Sequence, residues 1–428
     1  MERAGLKRSS VFLATFFVLF GTACTAAVGN KSMNSSDNNS VTYVDQENTD
    51  RMLSIYYGTA ENAEMMERLC DDYEAWTGIE VLWEAADNGT NELKKRFAVD
   101  EAPDLFSIAV QDLEIWSDHI VDLSTQPWVE DLPDNTREMV SVDGRVMAWP
   151  HTLEANGIVY NKRLFAQAGI TEIPVTLNEL QIVCERLEAA GIQSFGESWM
   201  QFGYLAHILA APFEYTGAEK SSKAVKNGEK TFGNLEYMDN YFDFLDLTLE
   251  YGKGAYSVEY NTFYQYADFA AGNMAMMKQG TWCERILKEM EPDLEIGLFA
   301  LPLSNRREEN RLLTSVTTFL CINQDSKNRE EALQFIQWWH EHAKEYLTEI
   351  NGTALPFKVS DNQMLGNLHQ DLQEYIESGN VYTGFGYEYW PADFHEDSAQ
   401  VIQLYIQGLI SREETKERLT RLYLAEAR

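Results

Sequence analysis

Apolar residues follow a strand–helix–strand order where the folded part of the chain begins. An apolar run at 52–57 is followed by apolar residues at helical spacing up to Gly78, and a second apolar run occupies 79–83. This order predicts a βαβ unit with parallel strands and a right-handed crossover. A helix over 92–99 and a strand over 104–108 continue the pattern.

The rest of the chain repeats this alternation before it becomes helical. Apolar runs predict further strands at 157–160, 295–301 and 315–322, whereas 195–290 is predominantly helical and rich in aromatic residues, and helices dominate after position 329. Alternating elements followed by helices predict two α/β domains, with the chain crossing between them more than once. Such a plan creates a cleft between the domains.

Two of the predicted helices begin at capping boxes. Thr176 precedes an apolar helical pattern and has Glu179 three residues later, and Ser411 has Glu414 in the same relative position. In this motif the hydroxyl accepts a hydrogen bond from the backbone N–H three residues on. We therefore expect a helix to begin directly after each hydroxyl residue.

Residues 1–23 have the layout of a signal peptide. Basic residues precede an apolar run at 11–20, and small residues ending at Ala23 lead directly to Cys24. These small residues resemble the lipobox of bacterial lipoproteins, which implies lipidation of Cys24 and anchoring by its acyl chains. Gly21 stands where that family usually has Leu, so an ordinary cleaved signal peptide with an incidental cysteine stays open.

Residues 24–50 are predicted to be the lipidated cysteine followed by a disordered tether. The segment is rich in Asn, Ser, Asp and Thr, reads NSSDNNS at 34–40, and has few large apolar residues. Such a composition cannot bury enough apolar surface to offset the entropy of ordering the chain.

Charge and composition exclude several kinds of partner. The chain has 34 basic and 68 acidic residues, a net charge of -34, which disfavours nucleic acid. Four cysteines beyond Cys24, at 70, 184, 283 and 321, contain no CxxC pair, so we expect no metal site, while disulfides stay open. The chain also lacks the GxSxG, HExxH, GxxxxGK[ST] and GxGxxG motifs, so we expect neither catalytic residues nor a cofactor.

A series of short motifs runs in order along residues 52–428. They are APDLF at 102–106, DGRVMAWP at 143–150, GIVYNKRLF at 157–165, AGI at 168–170, DFAAGNMAMM at 268–277 and GTW at 280–282. In this order they resemble the extracellular solute-binding proteins of carbohydrate ABC importers, the group that includes maltose-binding protein. Each motif is weak alone, and their order carries the resemblance.

The resemblance implies a periplasmic-binding-protein-like α/β fold, in which two lobes joined by a multi-strand hinge close on a ligand. The N-terminal lobe would comprise residues 51–154 and 315–343. The C-terminal lobe would comprise residues 155–314 and 344–428. Closure would be a hinge motion favoured by ligand contacts from both lobes.

Trp282 and Glu154 are the site residues that the resemblance implies directly. Trp282 follows Gly280 and Thr281 as the family's stacking tryptophan does, and Glu154 matches a family carboxylate that holds sugar hydroxyls. Sugars present apolar ring faces edged by hydroxyls, which suit aromatic rings and carboxylates. A core role for Trp282 and a solvated hinge position for Glu154 are the alternatives.

Four further residues are candidates from their positions. Gln111 and Asp112 follow a predicted strand, at the edge where open α/β sheets bind ligands, although Asp112 would equally serve as a helix cap. Trp199 and Trp390 lie in aromatic segments flanked by glycine that would project into the cleft. Packing in the core is their alternative role.

The resemblance implies a substrate-binding component of an ABC transporter. Its partners would be a mono- or oligosaccharide, the permease subunits and the bacterial cell membrane, to which a lipid anchor would hold it on the extracytoplasmic side as a monomer without enzymatic activity. A surface glycoside hydrolase, for which the many acids would supply paired carboxylates, is the enzyme alternative. A sensory sugar-binding module is the third possible function. The sequence does not indicate which sugar is bound.

Overall fold

The structure describes the chain from Met52 to Ala427 with short gaps. In this computed structural model the described residues are 52–58, 62–86, 89–316, 318–358, 365–391 and 393–427. The predicted signal peptide (1–23), Cys24 and the predicted tether (24–50) lie outside the described residues. None of the helices in the described segments is long and apolar enough to cross a membrane.

The strands confirm most of the apolar runs. In chain order they are β1 (Met52–Tyr56), β2 (Glu80–Glu84), β3 (Leu105–Ala109), β4 (Ser141–Val142), β5 (Arg145–Val146), β6 (Trp149–Pro150), β7 (Glu154–Asn161), β8 (Met276–Gly280), β9 (Ile296–Phe299), β10 (Leu312–Ser315), β11 (Thr318–Ile322) and β12 (Val381–Tyr382). The run predicted as one strand at 315–322 is instead shared by β10 and β11, which belong to different sheets.

The helices surround the sheets. They are α1 (Ala63–Thr77), α2 (Gly89–Ala98), α3 (Leu113–Trp116), α4 (Asp134–Met139), α5 (Lys162–Gln167), α6 (Leu177–Ala189), α7 (Phe202–Tyr215), α8 (Ala218–Lys226), α9 (Met238–Glu250), α10 (Thr262–Ala270), α11 (Glu284–Met290), α12 (Arg329–Glu341), α13 (Asn367–Glu377), α14 (Phe394–Ile406) and α15 (Arg412–Glu426). A π-helical segment, Lys344–Ile350, follows α12.

Both predicted capping boxes begin helices. The Glu179 backbone N donates to Thr176 Oγ1 at 3.2 Å, and the Glu414 backbone N donates to Ser411 Oγ at 3.2 Å. Glu179 reaches back to accept from the Val175 backbone N at 2.9 Å, one residue before the cap. The local sequence thus fixes where α6 and α15 start.

The first sheet contains the predicted βαβ unit. Its strand order is β2-β1-β3-β11-β6. β1 pairs in parallel with β2 and β3, whereas β11 runs antiparallel between β3 and β6. The parallel pairing of β1 and β2 confirms the strand–helix–strand prediction.

The second sheet is built around β7. Its order is β12-β10-β7-β8, and β9 also pairs with β7. β7 is antiparallel to β8, β9 and β10, with Asn156 opposite both Gly280 and Leu313. Because side chains alternate along a strand, Ile158 packs in the larger core cluster, whereas Val159 packs in a second cluster on the other face.

The chain passes from the first sheet to the second after β6 and returns to the first sheet after β10. β6 ends at Pro150 in the first sheet and β7 begins at Glu154 in the second; β10 ends at Ser315 in the second and β11 begins at Thr318 in the first. The two sheets with their helices form a periplasmic-binding-protein-like α/β fold. Its predicted lobe boundaries stay a prediction.

The segment after α12 contacts α1 and the residues before α4, which accompany the first sheet. The Tyr346 hydroxyl donates to Asp72 Oδ2 at 2.8 Å, and the Lys358 backbone N donates to the Asp131 carbonyl at 2.8 Å. From α13, Asp371 then accepts from a backbone N of β9. Described residues of this segment up to Lys358 therefore contact elements that accompany the first sheet, whereas α13 contacts the second.

One hydrophobic core cluster extends through both sheets, and it contains Leu53 and Phe106 of the first sheet and Ile158 of the second. The four cysteines within the described residues are buried and free. Burial raises the pKa of the thiols, including Cys70 to about 12, so they behave as small apolar side chains.

Candidate functional site

A groove of about 590 Å³ lies between residues that follow β3 and residues that follow α7 and β12. This volume is typical of small-molecule sites. One wall carries Gln111, which the sequence predicts as a ligand contact, and the other carries Tyr389. The groove also contains carboxyl groups from both walls, including Glu114, Glu138, Asp143, Glu214, Glu219 and Glu388.

Two of these carboxyl groups flank Gly384. A Cβ atom at Gly384 would lie 2.8 Å from Glu214 Oε2 and 3.3 Å from Glu388 Oε1. Burial and the Glu388 charge raise the pKa of Glu214 to about 7. Burial also raises the pKa of Glu388, although its carboxylate accepts from the backbone N of Phe385 at 2.6 Å and of Gly386 at 2.8 Å. The pair offers both an acid and an acceptor to hydroxyl groups.

Glu154 lies at the first residue of β7, where the chain enters the second sheet. It stands opposite Ser315, whose hydroxyl donates to Glu388 Oε1 at 3.3 Å. The Glu154 charge, after burial, contributes to raising the pKa of Tyr57 next to β1 and of Tyr387 after β12. The Glu154 charge thus acts on one residue next to the first sheet and on one residue of the segment that contains Glu388.

Trp282 is half-buried in the short turn that follows β8. Its indole Nε1 donates to Gln279 Oε1 at 2.7 Å. Its ring covers the Gly280 α-carbon so closely that a Cβ there would overlap the ring and the Ala155 carbonyl oxygen. The Thr281 hydroxyl accepts from the Ala155 backbone N at 3.1 Å and fixes this turn against β7.

A hydrogen-bond relay holds the indole in place. Gln279 Nε2 donates to Gln265 Oε1 at 2.8 Å, and Gln265 Nε2 donates to the Gly196 carbonyl at 2.8 Å and to Glu197 Oε2 at 3.3 Å. Gln265, Gln279 and Glu197 are buried. A buried, connected network restricts the orientations of the ring that it holds.

Trp282 lies beside a ring cluster that consists of His207, Tyr387 and His395. His207 of α7 meets the Trp282 ring edge-on at 5.8 Å and stacks on Tyr387 at 5.4 Å with an interplanar angle of 10°. His395 of α14 lies 4.8 Å from Tyr387. Burial and nearby Lys278 lower the pKa of both histidines, that of His395 to about 4, so both are neutral at pH 7. Neutral flat rings suit the apolar ring faces of a ligand.

The other three residues that the sequence predicts as ligand contacts, Asp112, Trp199 and Trp390, are buried. Asp112 is 5% exposed beside Gln111, Trp199 is 0% exposed in the core, and Trp390 is 5% exposed against Phe213 and Phe394. The structure therefore brings Gln111, Glu154 and Trp282 towards the groove and ring cluster, and it does not bring Trp199 there. Trp390 instead packs behind Tyr387 at 6.4 Å.

Sequence reasoning missed the residues that complete the site. His207 stands in an apolar run with no motif around it, whereas Lys278 directly follows the DFAAGNMAMM motif at 268–277, and its place between that motif and GTW was the signal that could have indicated it. Tyr387 and Glu388 fall within the glycine-flanked aromatic segment that contains Trp390. The sequence therefore indicated this segment as a candidate, but it did not indicate these two residues. Among the described residues, no group of three or more His, Cys, Asp or Glu side chains is arranged to hold a metal ion.

Comparison with known proteins places residues 58–344 within the model of the family described as bacterial extracellular solute-binding protein. The multiple sugar-binding protein of Streptococcus mutans is 23% identical over 311 residues, which cover 68% of this chain and 72% of that protein. The melibiose/raffinose/stachyose-binding protein MelE of Bacillus subtilis is 20% identical over 342 residues, 78% of this chain and 79% of that protein.

Other relatives match over a shorter length. A binding protein of Brucella abortus is 28% identical over 202 residues, so the chain spans about half the length of the curated Brucella relatives it matches, 47% of that protein. Among solved structures, RafE in complex with raffinose has a TM-score of 0.74 at 19% identity, covering 88% of this chain and 100% of that one.

A chitin oligosaccharide binding protein has a TM-score of 0.75 at 17% identity, covering 89% of this chain and 100% of that one. At these identities the structural likeness establishes the fold, and the family model, which spans about two thirds of the sequence, establishes the family. The chain belongs to the bacterial extracellular solute-binding proteins.

Proposed function

We propose that this protein is the substrate-binding component of an ABC importer, which captures a mono- or oligosaccharide outside the membrane and delivers it to the permease. The observation that carries this proposal is a carboxyl-lined groove whose Glu388 directly follows Tyr387, the ring that stacks on His207 beside Trp282. Sugar-binding relatives that cover most of the chain support it.

The site offers the two kinds of contact that a saccharide needs. Trp282 and the exposed ring of Tyr389 provide flat faces for the apolar sides of sugar rings. Glu214, Glu388 and Gln111 provide acceptors and donors for hydroxyl groups. Glu154 would contribute a charged acceptor at the point where the chain enters the second sheet.

Binding would proceed by closure of two lobes on the ligand. The proposed N-terminal lobe comprises 51–154 with 315–343, and the C-terminal lobe comprises 155–314 with 344–428. The contacts of Tyr346 with Asp72 and of Lys358 with Asp131 favour extending the N-terminal lobe to Lys358. Ligand contacts from both walls of the groove would stabilise the closed state.

We further propose that the protein acts as a monomer held on the outer side of the bacterial cell membrane. The signal peptide at 1–23 would be removed, Cys24 would carry the lipid, and residues 24–50 would tether the folded part to the membrane. The protein would bind its ligand without transforming it and without a cofactor or metal. This assignment rests on the sequence pattern and on the extracellular family.

A binding screen with product analysis tests the function. Purified residues 51–428 would be titrated by calorimetry with raffinose, stachyose, maltotriose and N-acetylchitooligosaccharides, and each mixture would be analysed by chromatography after prolonged incubation. Binding with unchanged saccharide supports the proposal. Cleavage of the saccharide would favour a glycoside hydrolase, and absence of binding to any saccharide, including acidic ones, would remove the proposal.

A further inference from the structure

Polar side chains with unpaired atoms lie around the Trp282 ring on one face of the second sheet. Asn156 of β7 stands opposite Gly280, which the ring covers. Lys278 lies two residues before Gly280 on β8, and residues two apart on a strand share a face. His207 of α7 contacts the same ring from its edge. The three polar residues therefore flank the candidate stacking ring.

These groups are buried without hydrogen-bond partners. Asn156 and Lys278 are 0% exposed. Throughout the described segments, neither Lys278 Nζ, nor the amide Nδ2 and Oδ1 of Asn156, nor His207 Nδ1 has a hydrogen-bond partner. Buried polar groups in native proteins are nearly always paired, and unpaired ones call for a bound molecule or ion. A cluster beside a stacking ring indicates a ligand group.

Lys278 is the cation of this cluster. Its Nζ lies 6.0 Å from the Trp282 ring centroid and 5.9 Å from that of Tyr204. Burial lowers the pKa of Lys278 to about 7, with Glu197 opposing the shift. The side chain is therefore close to half-protonated at neutral pH.

The titratable neighbours of Lys278 leave its charge uncompensated. Burial raises the pKa of Glu197, which precedes α7, to about 8, so this carboxyl is mostly protonated at pH 7. It accepts from the Lys278 backbone N at 2.8 Å and not from Nζ. His207 of α7 and His395 of α14 are neutral because their pKa values are lowered. Burial raises the pKa of Tyr204 on α7, so it also carries no charge.

We propose that Lys278, Asn156 and His207 form a subsite for the carboxylate of an acidic saccharide, so that the ligand of this site carries a uronic acid unit. This inference rests on the proposed sugar-binding function. The Lys278 ammonium and the Asn156 Nδ2 would each donate to a carboxylate oxygen, while Asn156 Oδ1 and His207 Nδ1 would bind neighbouring hydroxyls.

The charge of the cluster selects the kind of anion. One lysine charge matches a monoanionic carboxylate, whereas a phosphate monoester carries about -1.5 to -2 charges and favours arginine clusters. The net charge of -34 does not oppose this assignment, because charges more than about 10 Å away are largely screened at 0.1 M salt. Local groups therefore decide which ligand is bound.

Matched saccharides test the subsite. Residues 51–428 would be titrated with pairs of oligosaccharides that differ only in one terminal unit, either glucuronic or galacturonic acid or the corresponding neutral hexose. We expect the acidic member of at least one pair to bind roughly 10- to 100-fold more tightly, as for a hydrogen-bonded charge pair. Lys278→Met should abolish this preference, whereas Lys226→Met, which removes an exposed cation of α8 outside the groove, should retain it.

Proton uptake provides a second measurement that needs no variant. If a carboxylate binds Lys278, the lysine becomes fully protonated, so calorimetry at pH 8 in buffers of different ionisation enthalpy should show uptake of about one proton with the acidic ligand and none with the neutral one. Equal or tighter binding of the neutral members, a preference that Lys278→Met retains, or no proton uptake would overturn the subsite while leaving sugar binding intact. Failure of every saccharide to bind would overturn both proposals.

Discussion

The carboxyl groups of Glu214 and Glu388 lie on either side of Gly384 and face the same groove. Burial and the neighbouring Glu388 charge raise the pKa of Glu214 from its ordinary value of 4.5 to about 7. Two acids held this close cannot both ionise without cost in a desolvated site. The groove therefore carries a titrating group near neutral pH.

This pair makes stability depend on pH. The folded-state pKa of Glu214 lies above that of the unfolded chain, so the folded state holds the proton between about pH 4.5 and 7. The contribution to stability is fully present below pH 4.5 and is lost as pH rises through about 7. Glu214→Gln should therefore reduce the loss of unfolding free energy between pH 5 and pH 8 by about 1 to 3 kcal/mol.

Chemical denaturation at the two pH values measures this difference. Glu138→Gln is the matched control, because Glu138 is an exposed carboxyl on the opposite wall of the same groove. An equal pH dependence in the wild type and in Glu214→Gln would show that the Glu214 carboxyl does not titrate near neutral pH.

Removal of the Trp282 ring should weaken sugar binding. The ring is half-buried, its Nε1 is fixed by Gln279, and its edge meets His207. Trp282→Ala is expected to reduce the affinity for a bound saccharide by about 1 to 3 kcal/mol, the loss typical of one desolvated aromatic anchor. Calorimetry measures the affinity, and Trp76→Ala, at an exposed tryptophan of α1, is the control. Equal affinities in Trp282→Ala and the wild type would exclude Trp282 from the site.

Gly280 should tolerate no side chain. A Cβ there would overlap the Trp282 ring and the Ala155 carbonyl oxygen, so either the ring or β7 must move. Gly280→Ala is expected to lower the free energy of unfolding by about 1 to 3 kcal/mol and to change the tryptophan fluorescence. In Gly233→Ala the nearest atom is 3.5 Å from the new Cβ, so this control should behave as the wild type. Unaltered stability and fluorescence in Gly280→Ala would contradict the placement of the ring.

The fold was predictable where the signals are local. β1, β2 and the starts of α6 and α15 follow from apolar spacing and capping residues that are close in sequence. The division of the apolar run into β10 and β11 was not predictable, because the residues around Ser315 have no glycine or proline to mark a turn. Only the pairing of each strand with a different sheet separates them.

The site was predictable only in part because its contacts join distant segments. Gln111 follows a strand, so sheet topology points to it, and Glu154 was implied by its match to a family carboxylate. Lys278 and His207 are 71 positions apart in the sequence, and only Lys278 lies beside motifs that carry the family resemblance. Their meeting depends on how α7 packs against β8, which no spacing in the sequence encodes.

Composition does not decide whether Trp199 and Trp282 pack in the core or contact the ligand. One variant of each tryptophan tests its role. Both stand close to a glycine in the sequence, yet Trp199 is 0% exposed whereas Trp282 is half-buried. Trp199→Phe leaves a cavity in the core, so it should lower the free energy of unfolding by about 1 to 3 kcal/mol. Because the Trp199 ring is buried in the core, sugar affinity measured by calorimetry at a temperature where the variant is folded should not change.

Trp282→Phe is the matched variant. It should lower the affinity for the saccharide and change the free energy of unfolding less than Trp199→Phe does. A loss of affinity in Trp199→Phe would restore Trp199 as a ligand contact, reached through a rearrangement of the segment before α7.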